Sequence, residues 1–163
     1  SNILIQSLEL NLFLNRTFDL IHNLKIKNEV VIINTIPDGV FVDFNPAYLE
    51  SVLLNFTTNA IKYSNPDKPI EIKYSFSIEN DKKTLRISDN GLGIDLKKHG
   101  DSLFGMYKTF HKHKDSHGLG LYITKNQIES MKGTVSVESE VGLGTTFIIV
   151  FNDSLQEELA GLD

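Results

Sequence analysis

Two adjacent segments, IEIKYSFSIEN and KKTLRISD, constrain the fold of this chain more than any other feature. Both alternate apolar and polar residues, which is the period of a strand with one buried face. They are expected to pair as antiparallel strands across Asn80-Asp81. A second pair of strand-like segments, TVSVESE and TTFIIVF, flanks the glycine turn VGLG. Two hairpins favour a mostly antiparallel sheet.

The remaining periodic segments predict three helices and two short strands, EVVIINTIPDG and VFVDF. The first helix is expected from residue 11 to about residue 27. Asn45-Pro46 supplies a capping asparagine and a proline at the first helical position, so a second helix should run from there to about residue 64. The third, LGLYITKNQIESMKG, should be closed by a glycine cap at Gly133. The expected fold class is α+β, a two-layer sandwich whose mixed, mostly antiparallel sheet carries helices on one face.

Composition and charge exclude several classes of function. The 163 residues suit one domain with an ordinary core. A net charge of −5 and a pI near 5.5 indicate no nucleic-acid partner and no contact with an anionic membrane, so a bound anion must be held by a local site. The chain has no cysteine, which excludes disulfides and thiolate metal sites. No apolar run approaches the roughly 20 residues of a membrane span.

The two ends of the chain predict its domain organisation. It begins with neither a methionine nor a signal peptide, which predicts a fragment of a longer protein. Residues 1–151 are expected to form the domain, and residues 152–163 a polar C-terminal tail.

The second predicted helix carries two asparagines and a lysine on one strip, within the segment LLNFTTNAIKYS. Asn55, Asn59 and Lys62 follow helical spacing and lie beside the core face. An amide oxygen is a hard ligand suited to magnesium, and an ammonium beside it suits a phosphate. The alternative is that both asparagines are buried and bonded to neighbouring backbone. The expected core face consists of Leu49, Leu53, Phe56, Ala60 and Tyr63.

Two glycine-containing segments are further candidates for ligand binding. SDNGLGID follows a strand, so that Asp89 stands at the strand end while Gly91 and Gly93 let the backbone approach a ligand closely. Gly118 and Gly120 open a helix, where free amides and the helix dipole favour phosphate. An ordinary turn and a hinge are the alternative interpretations, and GLGTTF alone indicates only a tight turn before a strand.

A long segment, residues 97–118, contains four of the five histidines and lacks sustained apolar periodicity. Loops of this length within a compact domain are usually functional or disordered. His111, His113 and His117 allow a metal cluster as an alternative, although no carboxylate or cysteine completes it.

These motifs in this order resemble the ATP-binding domain of sensor histidine kinases, within the wider family of gyrase-type, heat-shock-chaperone and mismatch-repair ATPases. LLNFTTNAIKYS is similar to the N box of that family, DNGLGI to its first glycine box and LFGMYKTF to its phenylalanine box. HGLGL resembles the second glycine box, and GLGTTF the last. The resemblance spans residues 8 to 151, which is nearly the whole chain.

For the metal and the phosphates, the resemblance implies a site between helices that is covered by a mobile lid, residues 99–117. Asn59 would be the Mg²⁺ ligand and Asn55 a polar neighbour of the phosphates. Lys62 would contact phosphate, and Lys108 is the lid residue expected to do the same. The second glycine box would supply Ser116, His117, Gly118, Leu119 and Gly120, with a serine at the position where the family usually has glycine.

For the base of ATP, the resemblance implies that Asp89 accepts the adenine amino group and so selects adenine over guanine. Tyr63 would lie against the adenine, and Gly91 and Gly93 would let the base approach the backbone. The remaining contacts would come from Ile94, Leu121, Thr146 and Phe147.

The resemblance also implies an enzyme, a protein histidine kinase that transfers the γ-phosphoryl group of ATP to a histidine. His22 is followed by Asn23 rather than by the acidic residue that the family places after its acceptor, so His22 is interpreted as structural. The acceptor would lie on a dimerisation domain of a homodimeric full-length protein, with a response regulator as an indirect partner. The ATP-binding domain would be cytoplasmic, and a membrane anchor elsewhere in the full-length protein is left open. A nucleotide-binding module without kinase activity and a related serine kinase are the alternatives.

Overall fold

The computed structural model describes residues 3–105 and 117–152, without the side chains of residues 117–119. It contains five strands of one sheet: β2 (Val30–Asn34), β4 (Ile70–Glu79), β5 (Lys82–Asp89), β6 (Thr134–Glu140) and β7 (Gly144–Val150). Their spatial order is β2-β4-β5-β7-β6, and within the described residues β2 and β4 form the parallel pair while the other pairs are antiparallel. Two short strands, β1 (Gln6–Glu9) and β3 (Phe41–Phe44), pair separately.

Helices cover one face of the sheet. They are α1 (Leu10–His22), α2 (Pro46–Lys62) and α4 (His117–Ser130), together with the short α3 (Leu96–His99), which continues into a 3₁₀ turn at Gly100–Ser102. The central helix α2 packs against α1 on one side and α4 on the other, and lies on β4 and β5. This arrangement confirms the expected α+β sandwich with a mixed, mostly antiparallel sheet.

The core lies between α2 and the centre of the sheet. The helix starts where predicted, because the Asn45 side chain accepts a hydrogen bond from the Tyr48 amide at 3.0 Å and Pro46 occupies the first helical position. Leu49, Leu53, Phe56 and Ala60 are buried as predicted, whereas Tyr63 is the C-cap residue and half-buried. On the sheet side the buried residues include Ile72, Tyr74, Leu85 and Ile87.

The predicted hairpin across Asn80-Asp81 is confirmed. Asn80 and Asp81 adopt φ values of 52° and 62°, and Glu79 pairs with Lys82. Two consecutive left-handed residues match the twist of the flanking strands, and asparagine and aspartate tolerate that conformation.

One strand was missed, and two local predictions require correction. Strand β1 was not predicted, because its pairing partner Phe41–Phe44 is remote in sequence. Helix α1 ends at His22 rather than near residue 27. At the end of α4 the left-handed residue is Lys132, with φ of 59°, while Gly133 follows it and donates to the Ile128 carbonyl at 3.0 Å. Gly133 is needed for close approach instead, since a Cβ there would lie 2.7 Å from the Val150 carbonyl oxygen.

Candidate nucleotide site

Asp89 is the last residue of β5 and lies on the face of the sheet that the helices cover, as its strand neighbour Ile87 does. Its Oδ1 accepts hydrogen bonds from the amides of Gly91 at 2.8 Å and Thr145 at 3.3 Å. Burial raises the pKa of Asp89 to about 6, against the lowering effect of those two bonds. The second carboxylate oxygen therefore remains available as an acceptor in a partly desolvated setting.

Three glycines allow backbone segments to meet around Asp89. A Cβ at Gly91 would lie 2.6 Å from the Tyr63 carbonyl oxygen, and one at Gly93, whose φ is +76°, only 2.1 Å from the Glu140 carbonyl oxygen. Gly144, with φ of +136°, passes the Asp89 backbone, where a Cβ would lie 2.0 Å from its carbonyl oxygen. Any L side chain would displace backbone at these positions. These glycines are thus required by the fold of the junction, whether or not a base also approaches them.

Hydrogen bonds join the loop after β5 to its two neighbours. The Leu92 amide donates to the Tyr63 carbonyl at 3.0 Å, which fixes the loop to the end of α2. On the other side, the Leu92 carbonyl accepts from the Gly142 amide at 2.8 Å, and the Ile94 amide donates to Ser139 Oγ at 2.8 Å. The end of α2, the glycine loop and the β6–β7 turn therefore form one unit that holds Asp89 in place.

Asn55, Asn59 and Lys62 form the predicted strip on α2, and Asn55, at its N-terminal end, contacts α4. Asn55 and Asn59 are half-buried and Lys62 is exposed, with its ammonium 5.6 Å from the centre of the Tyr63 ring. Asn55 Nδ2 donates to Thr124 Oγ1 on α4 at 3.1 Å, which the sequence did not indicate. The structure brings together the end of α2, Asp89 and the glycine loop through Tyr63 and Gly91.

The donor set on this strip fits Mg²⁺ rather than a softer metal. Two amide oxygens one helical turn apart are hard ligands, and Mg²⁺ typically takes few protein ligands and completes its shell with phosphate oxygens and water. Among the described residues, no group of three or more histidine, aspartate or glutamate side chains is placed to hold a metal. His111 and His113 of the alternative metal cluster lie outside the described residues, as does the side chain of His117.

An apolar wall lies under this region. Leu121 is fully buried, and Phe147 is 4% exposed and stacks on Phe56 with ring centres 4.5 Å apart. The rings of Phe104 and Phe147 pack edge to face, with their centres 6.3 Å apart. Ile94 is partly buried and packs against the same core. Leu121 and Phe147 belong to the core, and their contact with a base stays a prediction.

Helix α4 begins at His117, so residues 117–120 form its first turn, where the sequence predicted a phosphate seat. A Cβ at Gly120 would meet no atom of the described residues outside its own helix backbone within 4 Å. Lys108 and Ser116 lie outside the described residues, as do most of the predicted lid and the side chain of Leu119. Their expected roles stay predictions.

Thr146 lies away from Asp89, and its predicted contact with the base stays a prediction. Thr146 pairs with Ser88, and their hydroxyls lie 2.8 Å apart on the face of the sheet opposite to Asp89. The preceding residue, Thr145, pairs with Asp89, is 7% exposed, and donates its amide to the carboxylate. Counting the strand alternation from the buried Phe147 identifies Thr145 as the inward residue, and this signal was available in the sequence.

The family comparison matches the region that contains this site. Residues 44–155 match the family described as histidine kinase-, DNA gyrase B-, and HSP90-like ATPase. The sensor protein kinase WalK of Staphylococcus aureus is 31% identical over an alignment of 146 residues, and the match covers 87% of this chain and 35% of that protein. The WalK of strain JH9 gives the same identity with 24% of its length covered, so the chain spans between a quarter and about a third of these relatives.

Solved structures share the fold. The nucleotide-free catalytic domain of the histidine kinase ThkA superposes with a TM-score of 0.75 at 20% identity, covering 92% of this chain and 98% of that one. The mycobacterial sensor histidine kinase MprB gives 0.71 at 20% identity, covering 90% and 97%. Full-length ShkA in complex with AMPPNP gives 0.73 at 21% identity, covering 93% of this chain and 31% of that one.

Proposed function

The chain belongs to the family of histidine kinase-, DNA gyrase B- and HSP90-like ATPases, as an ATP-binding catalytic domain of the sensor histidine kinase type, and on this premise we propose how its residues act. It binds ATP with Mg²⁺ and transfers the γ-phosphoryl group to a histidine on a dimerisation domain. The observation that carries this proposal is the single unit formed by Asp89, the glycine loop and the end of the Asn55–Asn59–Lys62 strip.

Asp89 recognises the adenine. One carboxylate oxygen is held by two backbone amides, so the other oxygen is presented in a fixed direction to accept a hydrogen bond from an exocyclic amine. Guanine places an oxygen at the corresponding position, and two facing acceptors in a desolvated slot would cost about 1–3 kcal/mol. Tyr63, Gly91, Gly93, Ile94, Leu121 and Phe147 would surround the base.

The α2 strip and the start of α4 hold the triphosphate. Asn59, with Asn55 beside it, would supply amide oxygen to Mg²⁺, which when bound neutralises charge on the phosphates. Lys62 would contribute a positive charge next to them, and the amides of residues 117–120, at the positive end of the helix dipole, would donate hydrogen bonds to phosphate oxygens. Lys108 and Ser116 of the lid would complete the contacts.

The nucleophile comes from the partner domain. An amide cannot serve as a general base, and Asn55 occupies the strip position one turn before Asn59. Phosphoryl transfer then depends on positioning and charge neutralisation. The full-length protein is proposed to be a homodimer that supplies the histidine and passes the phosphoryl group to a response regulator, with this domain on the cytoplasmic side. Within the described part of the chain, no helix is both long and apolar enough to span a membrane.

Calorimetry with one paired substitution tests the proposal. Asn59→Ala should abolish the gain in ATP affinity that Mg²⁺ produces in the parent protein, while the thermal midpoint changes little. The matched control is Asn126→Ala, because Asn126 is an exposed asparagine on α4. GTP should compete weakly with ATP for the parent protein. Equal Mg²⁺-dependent binding by the parent and Asn59→Ala, or equal competition by GTP, would contradict the assignment.

A further inference from the structure

A chain of hydrogen bonds crosses from α2 to α4 beside the proposed phosphate site. Asn55 Nδ2 donates to Thr124 Oγ1 at 3.1 Å, and Thr124 Oγ1 donates to the Gly120 carbonyl at 2.8 Å. Thr124 is fully buried between the helices. Gly120 belongs to the first turn of α4. The two hydrogen bonds therefore connect α2, which carries the proposed Mg²⁺ ligand, to the end of α4 that is proposed to bind the phosphates.

This arrangement determines which way the Asn55 amide faces. A threonine hydroxyl carries a single proton, and that of Thr124 is directed at the Gly120 carbonyl. Toward Asn55 the hydroxyl can then only accept, so Asn55 must present its NH₂ group. If the amide were rotated by 180°, the Thr124 hydroxyl would either face the Asn55 oxygen as a second acceptor or have to give up its bond to the Gly120 carbonyl, and both are unfavourable in a buried position. The Asn55 oxygen is therefore turned away from α4.

We propose that Thr124 is a positioning residue that orients the oxygen of Asn55 toward Mg²⁺ and its water shell. Asn55 and Asn59 are four residues apart on α2, so their side chains are neighbours on one strip. Without the Thr124 hydroxyl, either end of the Asn55 amide could face the phosphates, and only its oxygen suits a magnesium shell. This inference rests on the proposed function, and it assigns a role in nucleotide binding to a residue that lies outside the glycine motifs.

The test compares Thr124→Val, which has nearly the same shape without a hydroxyl, with Thr124→Ser, which keeps the hydroxyl. Affinities for adenosine, for ATP in EDTA and for ATP with Mg²⁺ are measured by calorimetry. Thr124→Val should weaken ATP binding with Mg²⁺ by roughly two- to tenfold, the equivalent of one hydrogen bond. Its affinities for adenosine and for metal-free ATP should remain those of the parent, and Thr124→Ser should restore magnesium-dependent binding.

A double-mutant cycle with Asn55→Ala shows whether Thr124 acts through Asn55. In the Asn55→Ala background, Thr124→Val should have no further effect on ATP binding with Mg²⁺. Additive effects, an unchanged Thr124→Val, or an equal loss for adenosine and ATP would overturn the inference. Failure of the parent protein to bind ATP with Mg²⁺ would instead refute the proposed function.

A second measurement needs only the folded parent protein. The side-chain NH₂ protons of Asn55, identified in NMR spectra by their absence from Asn55→Ala, should exchange with solvent more slowly than those of the exposed Asn126. Slow exchange supports the hydrogen bond to Thr124, and exchange as fast as that of Asn126 overturns it.

Discussion

At the scale of single residues, Asp89 combines two demands that oppose each other. The proposed recognition of adenine needs a carboxylate acceptor inside an apolar slot, yet removal from water disfavours the charged form of Asp89 and raises its pKa to about 6. The amides of Gly91 and Thr145 offset part of that cost by bonding the charged form. Ionised Asp89 therefore lowers the free energy of unfolding at neutral pH, and it provides a hydrogen-bond acceptor in a fixed position.

The free energy of unfolding should depend on pH because of the raised pKa of Asp89. Because the folded pKa of Asp89 lies above the unfolded value of 3.8, the folded state holds more protons between about pH 4 and pH 6. The contribution of Asp89 therefore falls as pH rises through this range, by at most about 3 kcal/mol. Asp89→Asn should be the more stable protein at pH 7, and this advantage should shrink toward pH 4 in chemical denaturation curves. A constant difference between the two proteins would contradict the shift.

Binding of the base should follow the opposite trend. A proton on Asp89 would occupy the oxygen that the two amides leave open, so the acceptor is lost below about pH 6. Adenosine affinity should rise roughly tenfold from pH 5 to pH 7 in the parent and stay flat in Asp89→Asn. Adenosine is the suitable probe because phosphate groups titrate in the same range. A flat profile in the parent would exclude Asp89 as the titrating acceptor.

At the scale of elements, the glycines divide into two groups that substitution can separate. Gly91→Ala places a Cβ against the Tyr63 carbonyl and should reduce the free energy of unfolding by about 1–3 kcal/mol. The Cβ of Gly120→Ala, inside α4, meets no described atom beyond the helix's own backbone within 4 Å, so this substitution should raise the free energy of unfolding by up to about 1 kcal/mol. Thermal unfolding of the two variants checks this. A destabilised Gly120→Ala would show that the fold, rather than the ligand, requires that glycine.

Gly120→Ala also tests whether the backbone at the start of α4 contacts the phosphates of the nucleotide. If phosphate lies against the first turn of α4, Gly120→Ala should bind ATP more weakly although its fold is more stable. Adenosine binding should be unchanged, because the base site around Asp89 is built from other elements. Loss of adenosine binding in Gly120→Ala would contradict this separation.

Sequence reasoning located the elements well and their junctions less well. The hairpin at Asn80-Asp81 and the start of α2 at Asn45-Pro46 depend on local chemistry, which the sequence contains directly. Strand β1 pairs with a strand more than thirty residues away, so no local sequence pattern predicts it. The hydrogen bond from Asn55 to Thr124 joins two residues that are 69 positions apart in the sequence, and it depends on the packing of α2 on α4. Thr145, which pairs with Asp89, was not singled out, although strand alternation counted from Phe147 indicates that it faces inward.

At the scale of the whole molecule, the site is a junction between helices and sheet rather than a property of one motif. The end of α2 and the loop after β5 are joined by Tyr63 and Leu92. That loop is joined to strand β6 by Ser139 and to the β6–β7 turn by Gly142. The Ser139 hydroxyl also forms hydrogen bonds with the Gly144 carbonyl and the Thr145 hydroxyl. One side chain therefore holds the two residues of β7 that lie against Asp89. An overall charge of −5 does not attract ATP, and binding must rely on these local donors.

The separation of kinase from ATPase is also a property of the whole molecule. Rapid hydrolysis needs a base that activates water, and the α2 strip offers Asn55, an amide that cannot take up a proton, at the position before Asn59. The chain alone should therefore bind ATP and hydrolyse it very slowly. When the dimerisation domain of the same full-length protein is added in trans, an acid-labile phosphohistidine should form on that domain with radiolabelled ATP. The label should be lost with Asn59→Ala and kept with Asn126→Ala, whereas multiple-turnover hydrolysis by the chain alone would identify a dedicated ATPase instead.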